Sequence, residues 1–224
     1  MIEYTIKRSK RKTIGIYVTE SGVEVRAPTK CSKARIEDFL LRKQEWIIES
    51  LDTIHTRKQN KESFCLNYGD KILYRGELYP IVKKDIDHAI FDQTSFYLPP
   101  NLDPNKIKAT CVELYKQLAF IHLSKRAQFF AKQMGVEPTA IKISNAKRNW
   151  GSCSTKKSIN FAWRLIMATD EVIDYVVVHE LAHIAHMNHS KKFWELVQSV
   201  MPEYKQYHEQ LKKLDKKLAN EDWG

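Results

Sequence analysis

Glycine is scarce in this chain, with only 7 among 224 residues. An all-β sandwich or propeller needs many tight turns, which glycine favours, so this scarcity argues against both folds. The four cysteines lie more than 30 positions apart and form no CxxC pair. A zinc site built from cysteines is therefore excluded, and scattered reduced thiols are expected instead.

Long apolar runs are also missing from the chain. Stretches such as Val176–Val178 with their neighbours are far shorter than the about 20 residues that a membrane-spanning helix needs. The N-terminal sequence MIEYTIKRSKRK has basic residues but no apolar core, so no signal peptide is expected. With 43% apolar and 29% charged residues, the protein is predicted to be folded, cytoplasmic and free of membrane contact.

The formal net charge of +10 is unevenly distributed along the chain. Residues 1–61 carry 14 basic and 8 acidic groups, residues 104–164 carry 12 and 2, and the two remaining segments are each net −3. The concentration in residues 104–164 raises the hypothesis that this segment contacts a polyanion. The plain alternative is a solvated surface, which is the usual role of excess charge.

Apolar periodicity predicts an α+β fold with two regions. A β-hairpin is expected over residues 14–27, one helix from Ser32 to Ile54, and short strands between residues 64 and 98. A proline-rich break near residue 100 then divides the chain. The prediction is a basic, β-rich N-terminal region at residues 1–103 and a catalytic region at residues 104–224.

The catalytic region is predicted to begin with a long helix from Pro104 to Met134, which Gly135 ends. Strands are expected at Ile141–Ser144 and Ser158–Trp163, around a turn at Gly151–Ser152. Three further helices complete the expected order, from about Thr169 to Met187 and at Lys191–Val200 and Glu203–Leu218.

Four of the eight histidines lie between positions 179 and 189. His179, Glu180 and His183 form an HExxH pattern, which places two imidazoles one helical turn apart on one face, where both reach a single zinc ion. A chance HExxH with a further histidine at one fixed later position has odds of about one in a thousand for this composition. The pattern therefore predicts a zinc site rather than ordinary helix histidines.

The third metal ligand is predicted from its reach. His186 faces the right way, but it lies about 10 Å along the helix axis from His179. His189 follows the expected helix end, where a left-handed Asn188 would turn the chain and bring the imidazole back to the metal. His189 is therefore the predicted third ligand, with His186 and Glu195 as alternatives.

Three protein ligands leave one zinc position for water, whose pKa the metal lowers. Glu180 is expected to act as the general base that takes the proton of this water and passes it to the leaving group. Hydrolysis also needs a donor for the developing oxyanion. Arg148, Tyr204 and His186 are the candidates for that role.

Four sequence segments closely resemble the YgjP-like metallopeptidase family: RNWGSCS at 148–154, INFAWRL at 159–165, VIDYVVVHEL at 172–181 and NHSKKFW at 188–194. The resemblance spans nearly the whole chain, and the sequence is more distantly similar to SprT and Wss-like metalloproteases. It implies a zincin-like α+β domain after a β-rich N-terminal part. It also implies that His179, His183 and His189 bind Zn²⁺ and that the protein is a metallopeptidase.

Two alternatives to a peptidase stay open at this point. The same family has been associated with UTP pyrophosphohydrolase activity, and a nucleotide would need the cations of residues 147–157 around its phosphates. A peptide would instead need a free strand edge at the cleft, which is expected near Ile159–Trp163. A nucleic-acid-associated or scaffold protein with a residual zinc site is the other alternative, and an intact Glu180 argues against it.

Overall fold

The computed structural model describes residues 2–224, which form six α-helices and ten β-strands. The expected α+β class is confirmed. The chain divides into two compact units, one made of Met1–Phe64 and Ala219–Asp222, the other of Cys65–Leu218 and Trp223–Gly224. The domain boundary expected at residue 103 lies inside the second unit and stays a prediction.

The first unit is a three-stranded sheet with two helices. Strand β1 (Tyr4–Ser9) is parallel to β3 (Gly22–Pro28), which is antiparallel to β2 (Gly15–Thr19). The helices are α1 (Lys33–Arg42) and α2 (Gln44–Ser63). Buried apolar side chains from the sheet and the helices form the core of this unit: Val23, Val25, Ala27, Ile36, Leu40 and Ile47.

The expected hairpin is confirmed as β2 and β3, but the prediction of a single helix from Ser32 to Ile54 is wrong. The helix breaks at Lys43, whose φ of −110° and ψ of 11° separate α1 from α2. The polar residues after Ile54 then stay helical as far as Ser63, because Lys, Gln and Glu are good helix formers even without an apolar face.

The longest helix, α3 (Pro104–Met134), is confirmed with its expected ends. The Asp103 side chain caps it by accepting a 3.0 Å hydrogen bond from the Lys106 amide, and Gly135 ends it with a left-handed φ of 65°. Neither α3 nor any other helix within residues 2–224 combines the length and apolar character of a membrane span.

Two more sheets belong to the second unit. The first has the order β4–β5–β7–β6, where the strands are Lys71–Tyr74, Glu77–Lys83, Phe96–Leu98 and Ile90–Phe91 respectively. The second has the order β8–β10–β9, where the strands are Ala140–Ser144, Ser158–Ala162 and Gly151–Cys153 respectively. β10 is parallel to β8 and antiparallel to β9, so β9 forms one edge of this sheet.

This topology corrects two expectations about the catalytic region. The strand edge predicted near Ile159–Trp163 is wrong, because β10 has a partner strand on both sides. The turn predicted at Gly151–Ser152 is instead the beginning of the edge strand β9. A strand expected among residues 64–68 is also absent from the described chain, where those residues are irregular.

The helix that carries the HExxH pattern, α4 (Asp170–Ala185), is largely buried. Asp170 and Glu171 lie in its first turn, where negative charge is favoured by the helix dipole. Val172, Ile173 and Val176–Val178 are all buried, and the helix packs against α3, β9, α5 (Lys191–Val200) and α6 (Tyr204–Leu218). A helix that is apolar on most sides is a core element, so the HExxH residues project from a rigid support.

The turn between β4 and β5 fixes the chain where it enters α4. Arg75 and Gly76 both have left-handed backbone, with φ of 48° and 85°. Their amides donate to the carbonyls of Ile166 and Met167 at 2.9 and 3.2 Å. The Arg75 guanidinium also pairs with Asp170, with Nε 2.7 Å from Oδ1. The start of the HExxH helix is therefore tied to a hairpin in the neighbouring sheet.

We expect Gly76→Ala to destabilise the protein more than Gly69→Ala. Both glycines have positive φ, 85° and 95°, so each alanine costs about 1–2 kcal/mol in backbone strain. A Cβ at Gly76 would also lie 2.7 Å from Thr169 Cγ2, whereas one at Gly69 meets nothing within 4 Å. That overlap adds about 1–3 kcal/mol. Urea denaturation followed by circular dichroism measures the difference, and equal losses would contradict it.

Candidate metal centre

Three imidazoles meet where α4 ends and the chain turns back. The Nε2 atoms of His179 and His189 are 3.1 Å apart, and His183 completes a group whose ligand nitrogens all lie within 4.8 Å of one another. Two nitrogens on a tetrahedral zinc lie about 3.4 Å apart, given Zn–N bonds of about 2.0–2.1 Å. The donor set and its spacing therefore fit a zinc ion held by these three residues.

The protonation of the histidines also suits a metal. His183 Nδ1 lies 3.2 Å from the carbonyl oxygen of His186. A carbonyl only accepts hydrogen bonds, so Nδ1 carries the proton and the lone pair of Nε2 is free for a ligand bond. Burial, and then the neighbouring histidines, lower the pKa of His179 to about 3. His179 is therefore neutral at physiological pH, as a metal ligand must be.

The path that brings His189 back differs from the expected one. α4 ends at Ala185, two residues past His183, and His186 takes an extended conformation with φ of −138° and ψ of 97°. Asn188 does not have positive φ, so the left-handed turn predicted there is wrong. The chain reverses through the extended break at His186, whose carbonyl then orients His183.

Two aromatic residues at the start of α5 pack against the three imidazoles. Phe193 is fully buried, and its ring centroid lies 5.0, 4.6 and 4.8 Å from those of His179, His183 and His189. The Trp194 ring stacks on His189 at 5.6 Å. This pair packs the ligand segment against the core.

Glu180 lies beside the histidines and against β9. Only 6% of the residue is exposed, and burial raises the pKa of its carboxyl to about 7. A Cβ on Gly151 would lie 2.5 Å from Glu180 Cγ and 2.7 Å from Oε1. The absence of a side chain at position 151 is what lets the strand and the carboxylate approach this closely.

The three histidines and Glu180 line a cavity of about 460 Å³. Residues 149–153 form one part of its wall, and Tyr175, Val176, Met187, His208 and Leu211 form most of the rest. The lining does not include Arg148, Tyr204 or His186, the residues that the sequence suggested as oxyanion donors.

His186 lies at the break that follows α4. Arg148 is exposed, and Tyr204 stacks on Trp194 at 5.2 Å. The alternative metal ligand Glu195 is exposed and pairs with Lys191 at 3.5 Å.

The sequence interpretation missed Tyr175 and His208. They line the cavity together and hydrogen bond to each other at 3.1 Å. Thirty-three positions separate them, so no local spacing connects them, and only the packing of α6 on α4 brings them together.

Comparison with known proteins identifies a family. The family model described as "YgjP-like, metallopeptidase domain" matches residues 12–214. Among solved structures, the metallopeptidase zymogen abylysin of Pyrococcus abyssi is 23% identical, with 44% of this chain and 97% of that chain covered. Its TM-score is 0.39. A comparison with curated proteins finds no match.

We expect His189→Ala to lose zinc while His186→Ala retains it. Outer-shell changes typically cost about 10–100-fold in metal affinity, and the loss of a ligand should exceed that range. His186→Ala keeps the backbone carbonyl that orients His183. Elemental analysis of the purified variants, together with a competitive chelator titration, measures both effects. Equal losses in the two variants, or a wild type that binds no zinc, would contradict the ligand set.

Proposed function

Because the chain belongs to the YgjP-like metallopeptidase family, we propose that it is a zinc-dependent peptidase with Glu180 as its general base. The family supports a hydrolase, and the proposal adds the metal, its ligands and the role of Glu180. The observation that carries it is one cavity in which a buried carboxylate adjoins three histidine nitrogens within 4.8 Å of one another.

The roles divide between the metal and the side chains. Zinc, held by His179, His183 and His189, would supply a Lewis acid in the cavity. Glu180 takes a proton from the attacking water while the water oxygen bonds to the carbonyl carbon and the C=O electron pair moves onto oxygen. Glu180 then gives this proton to the amide nitrogen as the C–N bond breaks, which regenerates the carboxylate.

A peptide substrate is supported by the strand that lines the cavity. β9 pairs with β10 on one side, and no other strand within residues 2–224 pairs with it. An extended peptide can add to such a free edge through main-chain hydrogen bonds. This edge, rather than the one expected at residues 159–163, would align the scissile bond with Glu180.

The cavity offers little to a nucleotide. No lysine or arginine of the described chain lines it, and Lys147, Arg148, Lys156 and Lys157 are all exposed elsewhere. A triphosphate needs charge-assisted donors such as guanidinium or ammonium groups. The matched family model is described as a metallopeptidase domain, and the cavity lining offers no cation to a nucleotide or another polyanion, so the peptide is the substrate class that we propose.

We expect Glu180→Gln to keep the fold and the zinc but to lose hydrolysis. Glutamine is nearly isosteric and cannot take a proton, and general acid–base groups typically contribute about 10²–10⁴-fold. The assay uses zinc-loaded protein with quenched peptides and casein, and with nucleoside triphosphates in parallel.

The matched control is Glu171→Gln, which makes the same change at an exposed position of the first turn of α4. It should keep wild-type turnover. A Glu180→Gln variant with more than about a tenth of wild-type turnover would remove Glu180 from the mechanism. Hydrolysis of a nucleoside triphosphate without any peptide cleavage would replace the peptidase proposal with the nucleotide alternative.

A further inference from the structure

Tyr175 on α4 and His208 on α6 form a hydrogen-bonded pair in the wall of the cavity that holds Glu180. Tyr175 is only 2% exposed, and its ring lies 6.0 Å from the His179 ring and 6.5 Å from the nearly parallel Tyr204 ring. These contacts fix the position of its hydroxyl group. Neither member belongs to the three-histidine group, and the proposed mechanism gives neither of them a role.

The Tyr175–His208 pair has one polar hydrogen more than their mutual hydrogen bond uses. A phenol has one O–H and a neutral imidazole has one N–H, so the bond between Tyr175 and His208 uses only one of two hydrogens. His208 is half-buried and therefore the more accessible member. If the enclosed Tyr175 hydroxyl donates to Nδ1 of His208, the imidazole carries its own hydrogen on Nε2. The pair then keeps a hydrogen-bond donor in the cavity wall.

The proposed hydrolysis needs such a donor, because negative charge develops on the carbonyl oxygen. The candidates from sequence, Arg148, Tyr204 and His186, are not in the cavity lining. Asn149 and Ser152 do line it, but both are exposed, whereas Tyr175 is buried. Preorganised donors are the effective ones, since they need no reorganisation during the reaction.

We propose that His208 is a further catalytic residue, which donates a hydrogen bond from Nε2 to the oxyanion of the scissile carbonyl, and that Tyr175 is its positioning residue. The inference rests on the proposed peptidase function and adds to it the group that stabilises the transition state. No covalent bond forms between His208 and the substrate, and no proton needs to leave the imidazole.

The test compares three variants of the full chain, each loaded with zinc and assayed on a quenched peptide. His208→Phe keeps a ring and removes the donor, so kcat should fall about 100-fold or more while KM changes little. His208→Gln restores an N–H donor and should recover part of that loss. Tyr175→Phe should lower kcat less than His208→Phe, because it frees the imidazole without removing the donor.

The matched control is His55→Phe, which makes the same change at an exposed histidine of α2 and should keep wild-type kcat. A second readout does not depend on turnover. A phosphinic peptide carries a charged oxygen where the oxyanion forms, so its affinity by calorimetry should fall with His208→Phe in parallel with kcat/KM. Zinc content, measured on the same samples, should stay at the wild-type level.

The outcomes separate this inference from the proposed function. If the wild type cleaves peptides and His208→Phe keeps its kcat and its phosphinic peptide affinity, the role of His208 is wrong and the peptidase stands. If His208→Phe and His208→Gln lose activity equally, or lose zinc, His208 is structural and the inference is again wrong. If the zinc-loaded wild type neither cleaves peptides nor binds the phosphinic peptide, both proposals are wrong.

Discussion

Phe193 packs against all three imidazoles of the candidate metal centre, and the geometry of that centre depends on this contact. His179 and His183 lie side by side because one rigid helix carries both. His189 lies in an irregular segment, where nothing in the local backbone determines its position. Burying a phenylalanine contributes about 1.5–3 kcal/mol, and here that burial also aligns the third histidine with the other two. Core packing and ligand placement are therefore the same interaction.

A second close approach determines the environment of Glu180. Gly151 lets β9 lie directly against the carboxylate, because any side chain at position 151 would overlap Glu180 Cγ. The same contact removes water from the carboxylate, and this burial raises its pKa. The edge strand β9 is thus also the strand that packs against Glu180, whose burial makes it a stronger base. Glycine serves packing here, which is why the turn predicted from it is wrong.

The parts of the molecule that were predictable from sequence are those that local chemistry determines. HExxH spacing follows from the helical period, and the ends of α3 follow from an Asp cap, a first-turn proline and a left-handed glycine. The break at Lys43 and the edge position of β9 have no such local signal. The pairing of Tyr175 with His208 joins residues 33 positions apart, so it depends on how α6 packs on α4. The sequence therefore indicates the candidate metal ligands and Glu180, but it gives no sign of the Tyr175–His208 pair.

The distribution of charge along the sequence also fails to predict what lines the cavity. Charges counted by segment ignore the ion pairs that form between segments when the chain folds. Residues 104–164 have a net charge of +10, yet Arg126 forms two 2.6 Å hydrogen bonds with Asp174, which belongs to the next, acidic segment. Arg164 donates to the Ala146 carbonyl at 2.9 Å. Several of the remaining lysines are exposed on α3 and at the ends of the β8–β10–β9 sheet, outside the cavity wall. The cavity is lined by histidines and one carboxylate but by no lysine or arginine of the described chain. Such a lining suits the uncharged backbone of a peptide better than a polyphosphate.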